Sequence, residues 1–98
     1  MSDTANAAVP TVKVETERVR VTEWRFSPGA ATGWHRHAYD YVVVPITTGQ
    51  LRLVGDGSAV DRFADLVTGE PYSREAGVEH DVVNDNDFEF IFVEVEIK

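Results

Sequence analysis

The stretch Gly29-Ala30-Ala31-Thr32-Gly33-Trp34-His35-Arg36-His37-Ala38-Tyr39-Asp40-Tyr41 continues through Val42 to Gly49. It is answered downstream by Gly69-Glu70-Pro71-Tyr72-Ser73-Arg74-Glu75-Ala76-Gly77-Val78-Glu79-His80-Asp81-Val82-Val83-Asn84. Together the two segments hold all three histidines of the chain. Side chains on a strand repeat every second residue, so His35 and His37 point to one face and can converge on one ion. Neutral imidazole is the commonest protein metal ligand, and its second ring nitrogen stays free for an orienting acceptor. His80 follows Gly77 on a separate strand. It completes a set of three nitrogens only if that strand pairs alongside the first.

Outward from these segments the chain reads as strands and turns. Ser27-Pro28-Gly29, Thr48-Gly49, Gly55-Asp56-Gly57, Thr68-Gly69-Glu70-Pro71, Ala76-Gly77 and Asn84-Asp85-Asn86-Asp87 are turn signals. Between them lie β-rich runs at 12–15, 19–26, 39–46, 51–54, 79–83 and 88–97, with alternation clearest at Ile91, Val93, Val95 and Ile97. A change of phase between Val21 and Trp24 suggests a bulge there. The nearest approach to a helical period, residues 59–67, is weak. Short strands at regular spacing predict an all-β sandwich or barrel over residues 9–98, with 1–8 as a frayed tail. The last run carries Phe88, Phe90 and Phe92 opposite its valine and isoleucine face. That half of the strand is therefore expected to lie between two layers or to meet another subunit. Glu94 and Glu96 read as an exposed face.

Composition narrows the function. The 98 residues contain no cysteine, which excludes disulfides, thiolate metal sites and cysteine nucleophiles. A formal net charge of −8 counts against binding to nucleic acid or to an anionic membrane. No apolar run approaches a membrane span, and the N-terminus lacks the basic start and apolar stretch of a signal peptide. A small cytoplasmic domain is the expectation.

The two histidine segments resemble the paired signatures of the cupin superfamily. The first of these is a glycine, five residues, His-x-His, three or four residues, a glutamate, six residues and a glycine; Gly29, His35, His37 and Gly49 fit it. The second ends in glycine, two residues, histidine, three residues and asparagine, and Gly69, Gly77, His80 and Asn84 match it in register. The resemblance spans about residues 26–84. It implies a single-domain antiparallel β-barrel (a double-stranded β-helix, or jelly roll) with a metal site in its mouth, held by His35, His37 and His80. It also implies that homodimers are common, which agrees with the two-faced last strand.

Two positions depart from the pattern. Glu75 stands where a proline is usual, and the glutamate ligand is missing. At three-residue spacing its place is taken by Tyr41, at four by Val42. Tyr41 is preferred because 35, 37, 39 and 41 share a face, while Asp40 enters only if a bulge turns it inward. Three neutral imidazoles leave a divalent ion's charge uncompensated, so such a site should favour an anionic ligand and lower the pKa of bound water. Fe, Mn, Co, Ni, Cu and Zn all suit an all-histidine site. With an ordinary phenol pKa near 10, Tyr41 reads as a hydrogen-bond donor to the bound ligand, or as an acid or base if a cation lowers that pKa.

Other residues have plainer readings. Asn84 serves its turn. Trp24, Trp34, Tyr39 and Tyr72 are packing or rim residues, and Trp34 and Arg36 fall opposite the histidines. The expected function is that of a metal-binding cupin. It is either a small oxygenase, isomerase or lyase using Tyr41 on a small anionic or carbonyl metabolite, or a non-catalytic dimeric module that binds such an anion through the metal.

Overall fold

The computed structural model describes residues 6–55 and 61–98. Among them are nine strands: β1 (Val9–Glu15), β2 (Val19–Phe26), β3 (His35–Arg36), β4 (Asp40–Pro45), β5 (Gly49–Gly55), β6 (Arg62–Leu66), β7 (Tyr72–Arg74), β8 (Glu79–Val83) and β9 (Phe90–Ile97). They form two antiparallel sheets, ordered β1-β2-β9-β4-β7 and β3-β8-β5-β6. Phe26, Tyr41, Val43, Phe90 and Phe92 from the first sheet and Leu51, Leu66 and Val82 from the second make one buried cluster. This is the expected all-β barrel of the double-stranded β-helix type. Within the weakly helical stretch 59–67, Arg62–Leu66 form β6, while residues 59 and 60 and part of the turn at Gly55-Asp56-Gly57 lie outside the described residues.

Three expectations are corrected. The bulge is in β1, between Val12 and Val14, whereas β2 pairs with β9 in unbroken register from Val19 to Phe26. Residues 6–8 are no loose tail. Ala8 is buried and its N–H donates to the Ala31 carbonyl at 2.9 Å, while the Ala31 N–H donates to the Asn6 carbonyl at 2.8 Å. The third correction concerns the faces of β9. Phe90, Phe92 and Glu94 point inward and are buried, while Ile91, Val93, Val95 and Ile97 face out. Alternation alone does not say which face is core when both are apolar at one end, and the aromatic volume wins the interior.

Two residues lock the strands that carry the site. Gly49 leaves no room for a side chain, since a Cβ there would stand 3.0 Å from Phe90 Cε2. Asn84, fully buried, does serve its turn, and it clamps more than that. Its Nδ2 donates to the carbonyls of Phe26 (3.1 Å), Ser27 (3.3 Å) and Phe88 (2.9 Å), and its Oδ1 accepts from the Asn86 N–H at 3.0 Å. Removing the amide orphans several buried groups at once, each costing about 1–3 kcal/mol. Asn84→Ala is therefore expected to lose at least about 2 kcal/mol in urea unfolding with an unchanged m-value. A loss under about 0.5 kcal/mol would show that water replaces the clamp.

Candidate metal centre

His35 on β3 and His80 on β8 are direct partners in the antiparallel ladder, so their side chains leave the sheet on the same side. Their ring centroids are 4.7 Å apart. His37 lies one residue past β3, where its N–H donates to the Val78 carbonyl (2.9 Å) and its carbonyl accepts the Gly77 N–H (2.8 Å). Gly77 has φ +98°, a conformation that residues with a Cβ rarely adopt, so the turn delivering His80 depends on glycine.

His37 Nε2 is 3.0 Å from His35 Nε2 and 3.1 Å from His80 Nε2. The ligand atoms of all three residues lie within 4.8 Å of one another. Two imidazole nitrogens bound about 2.0–2.1 Å from one ion, at 90–110° to each other, stand about 2.9–3.4 Å apart. The two spacings from His37 fit an ion. His35 Nδ1 is 2.9 Å from the Gly33 carbonyl, and because a carbonyl only accepts, Nδ1 carries a proton and Nε2 is the nitrogen turned to the cluster. His37 Nδ1 lies 3.9 Å from the Glu94 carboxyl, on the side away from the other two rings.

Burial, followed by the charges of His35 and Arg74, holds the His37 pKa down at about 4. Burial, followed by His35, His37 and Arg74, holds His80 at about 3. Both rings are neutral at pH 7 and need shed no proton to ligate.

Tyr41 stacks on His37 with centroids 3.8 Å apart and planes at 16°. It arrives there by a different route from the one its spacing suggested. The chain bends at Ala38 and Tyr39 and passes from the four-stranded sheet to the five-stranded one, so 35, 37, 39 and 41 do not share a strand face. Burial pushes the Tyr41 phenol up to about 12, with Arg74 offsetting part of the rise. It therefore stays protonated and can donate. Asp40 does not replace the missing glutamate: its Oδ1 accepts the Ala76 N–H at 2.8 Å and ties down the β7–β8 turn.

A cavity of about 230 Å³ opens above the cluster. Trp24 and Tyr72 line it, and so does Arg36, contrary to its expected place on the opposite face; Trp34 is half exposed and outside it. Arg36 misleads because its strand is only two residues long, and parity has little hold on a long side chain at a strand end. Glu94 and Glu96 also line the cavity, so the pair expected at the surface faces inward. Glu94 is buried, and that burial, reinforced by the Glu96 charge, raises its pKa to about 7. The Trp24 indole N–H nearby opposes the rise weakly and has no partner at hydrogen-bonding distance among the described residues. Parity with Phe90 and Phe92 was the signal that could have found Glu94.

The barrel and its histidine cluster define a cupin, and comparison with known proteins agrees. No protein-family model matches the chain. It is 55% identical to a cupin domain from Bordetella pertussis Tohama I, with a TM-score of 0.90 and 94% of each chain covered. It is 58% identical over 91 residues to the beta-alanine degradation protein BauB of Pseudomonas aeruginosa, covering 93% of this chain and 94% of that one. An RmlC-like cupin family protein with a double-stranded β-helix fold from Methanocaldococcus jannaschii shares 18% identity at a TM-score of 0.76, over 99% of this chain and 85% of that one, a likeness of fold. The chain belongs to the cupin superfamily. No helix among the described residues is long and apolar enough to cross a membrane.

The buried titrating groups set opposing pH effects in metal-free protein. Unfolded chain protonates His37 and His80 near pH 6.5, whereas folded chain waits until about pH 4 and 3. Their contribution to stability is thus present above pH 6.5 and lost as pH falls. Glu94 works the other way. Folded, it keeps its proton up to about pH 7 against an ordinary 4.5, so its contribution is present below 4.5 and lost as pH rises. Glu94→Gln is expected to raise stability at pH 8 and to steepen its loss between pH 7 and 4.5, read from urea midpoints. Parallel pH profiles for the variant and wild type would contradict a carboxyl buried beside two neutral rings.

Proposed function

We propose that the chain is a metal-dependent enzyme acting on a small carboxylate that carries a second oxygen donor, with His35, His37 and His80 holding a divalent transition ion. The observation that carries this reading is the meeting of three imidazole nitrogens beside a protonated phenol in a small cavity. When bound, the ion supplies Lewis-acid polarisation of a substrate oxygen. With no carboxylate among its ligands, the site keeps excess positive charge and favours an anionic guest. Tyr41 donates its hydroxyl proton toward developing negative charge on that guest. Leu53, Val82 and Phe92 provide apolar wall that excludes water. Glu94 lies 3.9 Å from His37 Nδ1, behind the ring. Fe, Mn, Co, Ni, Cu and Zn all remain compatible with three imidazoles.

The relative named for beta-alanine degradation supports a substrate class. Beta-alanine is a three-carbon acid with its amino group on C3, and removing that group oxidatively leaves a 3-oxo acid. Carboxylate and carbonyl then sit in a 1,3 relation, two oxygen-bearing heads close enough for one compact cavity to hold both. Loss of a C2 proton to a base, or of CO2 from C1, would leave negative charge on the 3-oxo oxygen, toward which the Tyr41 hydroxyl would donate and for which a bound ion would supply Lewis-acid stabilisation. Protein loaded separately with each metal is expected to turn over 3-oxopropanoate, with or without oxygen. Tyr41→Phe should slow that turnover about 10²- to 10⁴-fold while metal content stays unchanged. Binding without turnover for every metal would make the chain a non-catalytic module; no binding at all would end the proposal.

We also infer that the chain is a homodimer. Val14, Val21, Val95 and Val42 form one cross-strand row on the outer face of the five-stranded sheet, flanked by Val93 paired with Val44. A solvated antiparallel face is normally polar. A valine row bordered by the Glu23–Arg25 ion pair is self-complementary across a two-fold axis and lets two chains of net charge −8 meet on an apolar strip. Val95→Lys is expected to halve the mass seen by sedimentation at about 10 µM without loss of fold; wild type sedimenting as a monomer would contradict the inference.

A further inference from the structure

The cavity holds a cation that its own surroundings do not neutralise. Arg20, Arg25 and Arg52 are each ion-paired, to Glu15, to Glu23, and to Asp61 and Asp85. Arg74 lines the cavity and has no ion pair or side-chain hydrogen bond among the described residues. Its position explains why. One cross-strand row runs Glu15, Arg20, Glu96, Tyr41, Arg74 through all five strands of the larger sheet. Glu96 is drawn toward Arg20 at 3.6 Å, and Tyr41 occupies the register position between Glu96 and Arg74. The acidic partner nearest in the row is thus already engaged, on the far side of the phenol.

Arg74 and its strand neighbour Tyr72 share the inward face, opposite Tyr41 and Val43. Tyr41, the register partner of Arg74, stacks on His37 at a centroid distance of 3.8 Å, so Arg74 lines the cavity one strand away from the histidine cluster. Arg36 is the other cavity arginine. Its guanidinium lies against the Gly77 turn, 3.8 Å from where a Cβ would stand, and so belongs to the rim.

We propose that Arg74 is the carboxylate anchor of this site, selecting short acids whose carboxylate meets the guanidinium while a second oxygen, a few bonds away, reaches the histidine cluster. The planar fork of arginine pairs with a carboxylate through two parallel N–H donors, a geometry lysine cannot reproduce. A cavity of about 230 Å³ is smaller than sites for drug-sized ligands, so the two contacts define a compact, two-headed anion. The inference rests on the metal-dependent reading above and adds the residue that chooses the substrate.

The test uses zinc-loaded full-length protein, titrated by calorimetry with two probes. Malonate carries the carboxylate that Arg74 would hold; acetylacetone offers the same 1,3 oxygen pair without one. Arg74→Gln is expected to weaken malonate about 10- to 100-fold. Its acetylacetone affinity, zinc content and melting temperature should stay as in wild type, and Arg74→Lys should recover only part of the malonate affinity. Malonate binding unaffected by Arg74→Gln, or both probes weakened equally, overturns the anchor and leaves the proposed enzyme standing. Failure of zinc-loaded wild type to bind either probe overturns both.

Discussion

A two-residue ladder holds the mouth of this barrel together. β3 contains only His35 and Arg36, and it pairs with His80 and Glu79 of β8. That register places two imidazoles on one face, and the hydrogen bonds of His37 with Gly77 and Val78 extend it far enough to bring in a third. A slip of one residue would send His80 to the opposite face and dissolve the cluster. The strand is too short to hold its own register, so other groups must. Gly33 N–H donates to Asp81 at 3.0 Å and Val82 N–H to Thr32 Oγ1 at 3.1 Å, pinning the approach to β3. Asp40 holds the turn on the other side. Function-bearing side chains on a short strand are thus fixed by polar side-chain contacts rather than by sheet length.

The loss of the glutamate ligand reorganises the electrostatics around this ladder. A carboxylate does remain in the cavity, but it enters from β9 and faces the Nδ1 side of His37. Burial without a cation beside it makes Glu94 costly to ionise, as its raised pKa shows. The phenol of Tyr41 takes the place beside His37 and brings a proton instead of a charge. The site therefore offers neutral ligands, a donor, and an unpaired guanidinium at its entrance. Each of these favours a negatively charged guest.

Much of this was legible in the residue order, and the failures have physical causes. The limits of β2 and β8 match the β-rich runs 19–26 and 79–83 read between turn signals, and the His-x-His and Gly77-to-Asn84 segments located three residues that the fold brings together. β6 and β7 were missed because they are short, polar and largely exposed, so period-two patterning had little apolar signal to act on. Arg74 was missed with its strand. Glu94 was misplaced because β9 is apolar on both faces over half its length, and the more regular valine face looked like core. Its valines instead make the outer surface. Tyr41 was placed correctly although the shared-face argument for it does not hold, since the chain changes sheets at Ala38 and Tyr39 and the bend restores the side chain to the same cavity.

The central claim is that three imidazoles, and no carboxylate, present their Nε2 atoms to one ion. X-ray absorption on cobalt-loaded protein at pH 7 tests it most directly. The account predicts scattering from three imidazoles at about 2.0–2.1 Å, with the remaining positions filled by light oxygen atoms that malonate displaces. Two imidazoles or fewer, or a carboxylate that disappears from the spectrum on Glu94→Gln, would contradict it.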